Sequence, residues 1–177
     1  MDPIIRPYDD EDGPAVRALF VRVNRQLAPA HMKDAFEDFI ALSLREEIDW
    51  IPQYYRELRG GNFWVVSAGS DIIGCFGLEP ITDTSIELRR MYVDGAWRRA
   101  GVGRWMLRYA EETARLDGRR TLVAKTSELQ KEAVALYLAA GFTVASEERG
   151  SAMTNKSIGL GLRRYVFEKN LAADPSG

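Results

Sequence analysis

The stretch from Val102 to Leu116 constrains this chain more than any other. Val102, Trp105, Met106, Tyr109, Ala110, Thr113 and Leu116 recur with the 3.6-residue period of a helix. Arg104, Arg108, Glu111, Glu112 and Arg115 take the opposite face, and Gly118 stands where a C-terminal cap belongs. Immediately before this helix runs RRAGVGR, Arg98 to Arg104, and before that the strand-like IELRRMYV, Ile86 to Val93. A strand, a glycine-bearing loop and an amphipathic helix thus follow in direct succession. The same geometry aims backbone N–H groups and a helix N-terminus at one point in space, which suits an anion. Neither common nucleotide fingerprint fits. A dinucleotide-binding loop needs G-x-G-x-x-G after a first strand, with an acidic residue about 20 positions on, and the phosphate P-loop needs a Gly-Lys-Ser/Thr ending.

The rest of the chain supplies a sheet for the helix. Pro14 opens a helical pattern through Val16, Leu19, Phe20, Val23 and Leu27. A second pattern runs from Phe36 through Phe39, Ile40, Ser43, Leu44, Glu47, Ile48 and Ile51 as far as Pro52. FWVVSA and IIGCFGL flank a GSD turn and read as a hairpin, and the turn-rich EPITDTS leads to Ile86–Val93 as the third strand. Beyond the long helix come a strand at TLVAKT and a short, nearly all-apolar and therefore buried helix at EAVALYLAA. FTVASEE and RRYVFEK read as closing strands. The 177 residues leave room for one domain, expected over 1–171, with a disordered tail over 172–177.

Composition narrows the function. No apolar run approaches the roughly 20 residues of a membrane span, and the acidic N-terminus has no signal-like core, so a cytoplasmic protein without membrane contacts is expected. A net charge of -2 argues against a broad nucleic-acid footprint. One cysteine and one histidine give no metal spacing. Cys75 reads as a core thiol and His31 as an exposed loop residue.

Two motifs in order give the chain a resemblance. IELRRMYVDGAWRRAGVGRWML, with Arg98, Gly101 and Gly103 on the pattern Arg/Gln-x-x-Gly-x-Gly/Ala, is similar to the acetyl-CoA loop of the GCN5-related N-acetyltransferase (GNAT) superfamily. ALYLAAGF, with Leu136, Tyr137, Gly141 and Phe142, is similar to its downstream signature. The likeness covers residues 62 to 145 well and the first two helices more loosely. It implies an α/β (α+β) fold with a mixed, mostly antiparallel sheet of about six to seven strands flanked by about four helices. It also implies acetyl-CoA as cosubstrate, no metal, and a primary amine as acceptor. Gln130 departs from the pattern, standing where many members have an asparagine.

By that resemblance the pantetheine arm pairs with the strand backbone at Met91, Tyr92 and Val93. The pyrophosphate lies on the N–H groups of Arg98, Arg99, Ala100, Gly101, Val102, Gly103 and Arg104, with Gln130 nearby. Transfer to an amine needs a base, a polarised carbonyl and a proton for the departing thiolate. The resemblance assigns Glu87 as base, on the strand alternation it shares with Arg89 and Met91, and Tyr137 as the proton donor. An ion pair between Glu87 and Arg89, Arg90 or another basic residue is an equal alternative. The acceptor pocket is expected from Asn24 to Phe36 and Arg149 to Leu162, for a small-molecule or amino-acid-type amine. A protein N-terminus or lysine comes next, aminoacyl-tRNA is disfavoured by the charge, and a homodimer is left open. A non-catalytic acetyl-CoA sensor would need neither Glu87 nor Tyr137.

Overall fold

Trp64 and Phe76 sit opposite one another on neighbouring strands, stacked at 5.3 Å between ring centroids, with Tyr109 of the long helix edge-on to both. Their sequence neighbours Phe63, Val65 and Cys75 belong to a second core on the other side of the sheet. The period-2 alternation of the strands therefore divides two apolar layers, one under each pair of helices. The computed structural model describes residues 2–172; the tail expected at the C-terminus falls on 173–177, outside the described residues, except for Ala172.

Seven strands form one sheet in the order β1-β2-β3-β4-β5-β7-β6. They are β1 (Ile4–Pro7), β2 (Asn62–Ala68), β3 (Asp71–Pro80), β4 (Ser85–Val93), β5 (Thr121–Ser127), β6 (Thr143–Arg149) and β7 (Arg163–Asn170). Every pairing is antiparallel but that of β4 with β5. Helices α1 (Gly13–Leu27) and α2 (Lys33–Glu46) cover one face, α3 (Val102–Leu116) and α4 (Lys131–Ala139) the other. Among the described residues no helix is long and apolar enough to cross a membrane.

Two expectations change, and one strand was not foreseen. Ile4–Ile5 belongs to an edge strand, hidden in the sequence by its four-residue length and bounding prolines. The second helical pattern does not run unbroken to Pro52. It stops at Glu46, passes Glu47 at φ -142°, turns once in a 3-10 helix and resumes as a π-helix over Pro52–Leu58, which Pro52 can head because the first helical N–H needs no partner. The π-helix drives Tyr55 against β3, where a Cβ on Gly77 would lie 2.4 Å from the tyrosine ring, so only glycine fits there. Finally, α4 is not a buried helix: Tyr137 is its one buried residue, and Leu138 is 52% exposed. Its alanines cover little, and burial is confined to the side that meets Phe142 and Phe167.

Candidate functional site

The strand that carries the candidate base is interrupted. Two β4 residues, Arg90 and Met91, face only Phe76 of β3, and Arg90 has φ +53°. This bulge breaks the alternation expected of Glu87, Arg89 and Met91. Arg89 and Arg90 both turn toward α1 and α2, so Met91 is thrown to the opposite face, against the α3 core, and Tyr92 packs on Phe20 of α1. Glu87 and Arg89 do share a face; Met91 does not.

The bulge also coincides with a parting of the sheet. β4 and β5 pair from Ser85↔Thr121 to Leu88↔Ala124 and no further, while β3 continues along the other edge of β4 as far as Val93. The β5-facing edge of Arg89–Val93 is thus left with unpaired backbone groups, an open template for an extended ligand. The cleft between the parted strands is lined by Glu87 to Tyr92, Lys125 to Ser127, Gln130 and Tyr137. Asn24, Leu27 and Phe36 close it on one side and Asn155 to Ile158 with Leu162 on the other, so both expected acceptor segments meet there.

At the end of β4 the chain turns into the glycine loop. Asp94 accepts from the Ala96 N–H at 2.9 Å and pairs with Arg22 of α1, which fixes the entry. Gly101 then takes φ +81°, a left-handed conformation that a side chain would strain, with nothing within 4 Å of where its Cβ would stand. No side chain caps α3, and the first N–H bonded within the helix is that of Trp105, to the Gly101 carbonyl at 3.0 Å. The N–H groups of Val102, Gly103 and Arg104 therefore face outward together, beside open space, with the helix dipole behind them. Arg99 and Arg104 are exposed, whereas Arg98 leans 3.8 Å from Glu132 at the start of α4. The arrangement fits a pyrophosphate held by backbone, with the arginines as added charge.

Glu87 is buried on the α1/α2 face, with the Lys156 ammonium 3.8 Å away. Its cross-strand neighbour Glu79 binds the same lysine at 3.1 Å. Arg89 and Arg90, the partners considered for Glu87, are engaged elsewhere: Arg89 with Glu79 at 2.7 Å and Glu47 at 3.1 Å, Arg90 with Glu47 at 2.6 Å. Burial alone would raise both Glu47 and Glu79, but the guanidiniums outweigh it and hold each below the usual carboxylate range. Tyr54 and Tyr55 of the π-helix and Asn155 complete the network, donating to Glu79 at 3.3 Å, to Glu47 at 2.6 Å and to Glu47 at 3.3 Å.

Tyr137 lines the same cleft from the α3 side. Burial, with Tyr92 nearby, pushes its phenol well above the ordinary tyrosine value, so it stays protonated. Gln130 spends its side-chain oxygen on Thr126, at 2.7 Å, and the Ser127 N–H, at 3.2 Å, tying the end of β5 to the start of α4. Cys75 is buried with its thiol pushed up to about 12, and His31 is exposed, as expected of a core thiol and a loop histidine. What the sequence reading missed is the ring of charge around Glu87. Lys125, Lys156 and Arg164 line the cleft without belonging to any motif, and the only available signal was the place of Lys125 on a strand with no other charge and of Lys156 in a loop expected at the pocket; Arg164, on the half-charged β7, carried none.

Residues 59–144 match a family model described as an acetyltransferase (GNAT) domain. N-acetyltransferase family 8 member 3 of Rattus norvegicus is 32% identical over 120 residues, 65% of this chain and 53% of that protein. The chain spans about half the length of the curated relatives it matches. Among solved structures, the PaiA N-acetyltransferase of Thermoplasma acidophilum, in complex with coenzyme A, has a TM-score of 0.74 at 18% identity, covering 96% of this chain and 99% of its own. The ribosomal-protein-alanine N-acetyltransferase of Brucella melitensis gives 0.69 at 21%, covering 94% and 99%. The structural likeness speaks for the fold, and the family-model match runs through β4, the glycine loop, α3 and the Tyr137 helix, so these elements are similar to those of a GNAT acetyltransferase domain.

Proposed function

We propose that this chain is an acetyl-CoA-dependent N-acetyltransferase whose acceptor is a primary amine of a small molecule or amino-acid type. The observation that carries the reading is the cleft that brings an unpaired β4 edge together with two side chains fit to move protons, Glu87 and Tyr137, on a strand that runs on into the glycine loop and the uncapped N-terminus of α3. The relatives named above as acetyltransferases, and the coenzyme A in one of them, support the same reading.

Acetyl-CoA would supply an activated acyl carbon and a thiolate leaving group. The backbone of Met91 to Val93 would hold its pantetheine arm as an added strand, and the N–H groups from Arg98 to Arg104 its pyrophosphate. Of the backbone N–H groups near the carbonyl, that of Tyr92 turns to Cys75 of β3, so it is the Val93 N–H that polarises it. An alkylammonium, with a pKa of about 10.4, must lose a proton before it can attack. Glu87 accepts that proton, directly or through a water. Tyr137, kept neutral by burial, gives its own to the departing sulfur.

The direct test is thiol release from acetyl-CoA across a panel of amines, amino acids and peptides. No release with any acceptor, alongside tight acetyl-CoA binding, would leave a sensor in place of an enzyme. Two variants sharpen it. Glu87→Gln should lower kcat/KM about tenfold near neutral pH, with the deficit closing as pH approaches the acceptor's own pKa; a deficit constant across pH would remove Glu87 as base. Gly103→Ala tests the cradle separately. A methyl there meets Leu136 and Met91 only at ordinary contact distances, 3.5 and 3.7 Å, and alanine favours a helix. The variant should be at least as heat-stable as the parent yet bind acetyl-CoA about tenfold more weakly, a loss of about 1.4 kcal/mol. Unchanged affinity in calorimetry would place the pyrophosphate elsewhere.

A further inference from the structure

We infer that the acceptor end of the cleft holds an anion-binding subsite made by Arg164 and Lys125, and that the acceptor amine therefore carries a carboxylate, as an α-amino acid does. This rests on the acetyltransferase reading above and names the substrate class for the same site.

The charges in the cleft do not balance. Arg89, Arg90, Lys125, Lys156 and Arg164 all line it, and Glu87 is the one carboxylate among the lining residues. Behind them stand Glu47 and Glu79. These three carboxylates are taken up by Arg89, Arg90 and Lys156, in ion pairs from 2.6 to 3.8 Å. Lys125 and Arg164 remain without an ion pair among the described residues. Neither is a freely solvated surface charge. Burial, and repulsion from Arg89 and Arg90, lower Arg164 from its usual value despite the pull of Glu148 across the β6–β7 pair and of Glu87. Desolvating a guanidinium without a partner is costly, and a ligand carboxylate would offset that cost with two parallel hydrogen bonds.

Strand alternation shows which way these cations face. Tyr165 and Phe167 on β7, and Leu122 and Ala124 on β5, pack into the α3 core. Arg164 and Lys125 lie out of phase with them and so turn to the side of the sheet that carries Glu87, away from the α3 N-terminus where the phosphates would lie. Lys125 is also the first β5 residue past the last pairing with β4, at the fork of the parted strands. An amino acid entering here would set its ammonium toward Glu87 and its carboxylate toward Arg164 and Lys125. Its side chain would then lie toward Leu27, Phe36 and Ile158.

Thiol release should be measured with the twenty amino acids beside matched acceptors that lack the anion: phenethylamine and phenylalaninamide against phenylalanine, 3-methylbutylamine and leucinamide against leucine. The accepted amino acid should exceed its decarboxylated and amidated partners at least tenfold in kcat/KM. Arg164→Gln should shrink that ratio to within about threefold through KM, and Arg164→Lys should restore part of it. An amine or amide used as well as the acid overturns the proposal. So does better use of O-phosphoethanolamine, which would mark a phosphate site, or an Arg164→Gln effect that falls on acetyl-CoA affinity instead. Should no acceptor release thiol, the acetyltransferase reading fails while this one is still read by saturation-transfer NMR on the coenzyme A-loaded protein. There, amino acids should bind and their decarboxylated partners should not, and equal or absent binding of both overturns it.

Discussion

Tyr137→Phe should lower kcat about a hundredfold, the scale of a lost general acid, while acetyl-CoA affinity stays within about twofold. The phenol stands over the cleft from a helix that is otherwise largely exposed, held by the rings of Phe142 at 5.4 Å and Phe167 at 5.5 Å. Phenylalanine would keep those contacts, so the fold should not suffer, and a thermal melt within about 2 °C of the parent is expected from the loss of one buried hydroxyl. Because burial drives the Tyr137 pKa upward, the donor form persists across the working range, and the parent enzyme should show no alkaline loss of kcat below about pH 10 from this group. Single-turnover mixing separates the chemical step from product release. Full activity in the variant would remove Tyr137 from the mechanism and leave the leaving thiolate to be protonated by water.

The contrast between α3 and α4 shows what the sequence could convey. The stripe of α3 is legible in part because a 3.6-residue period encodes one buried face: Val102, Met106 and Ala110 are buried as expected, but Leu116 is 81% exposed, while Leu107, Ala114 and Glu111, the last assigned to the polar face, are buried, so the inward face is rotated from the expected one. The hairpin is legible because Trp64 and Phe76 alternate with Phe63, Val65 and Cys75 across two cores. A run such as EAVALYLAA has no polar face to orient it, so composition suggested burial where the fold provides little. Pairing across long separations leaves still less trace. Nothing near Glu47 announces that it meets Arg89 and Arg90 some forty residues later, and the β4 bulge is invisible because arginine is not a residue that signals φ above zero. The residues proposed to handle protons were therefore reached through the family resemblance, whereas the charges that surround them emerged only from the fold.

Glu47→Gln should be the most destabilising single change at the site, costing about 3–5 kcal/mol and lowering the melting temperature by about 10 °C. Glu47 is fully buried where α2 breaks, and one oxygen, Oε2, takes both Arg89 and Arg90 while Oε1 accepts from Tyr55. The amide fills the same space but leaves Arg90 with the Asn155 carbonyl and the faces of Phe20 and Phe39, and with no carboxylate. Acid should erase the difference. A carboxylate held below its unfolded value of about 4.5 contributes stability above that pH and loses it as pH falls through the lower folded value, so the gap between the two proteins should begin to close below about pH 4.5 and vanish only once pH has passed the folded value. The double variant Glu47→Gln/Arg90→Met should recover much of the loss, since removing both partners of a buried pair costs far less than removing one. Binding separates structure from function here. Arg90 occupies a positive φ that costs about 1–3 kcal/mol, and it bonds Glu47 and the Asn155 carbonyl where β4 leaves β5. If those bonds hold the strands apart, Glu47→Gln will also weaken acetyl-CoA binding, and the double variant will regain its melting temperature without regaining that affinity; recovery of both together would show that the parting is set by the strands themselves.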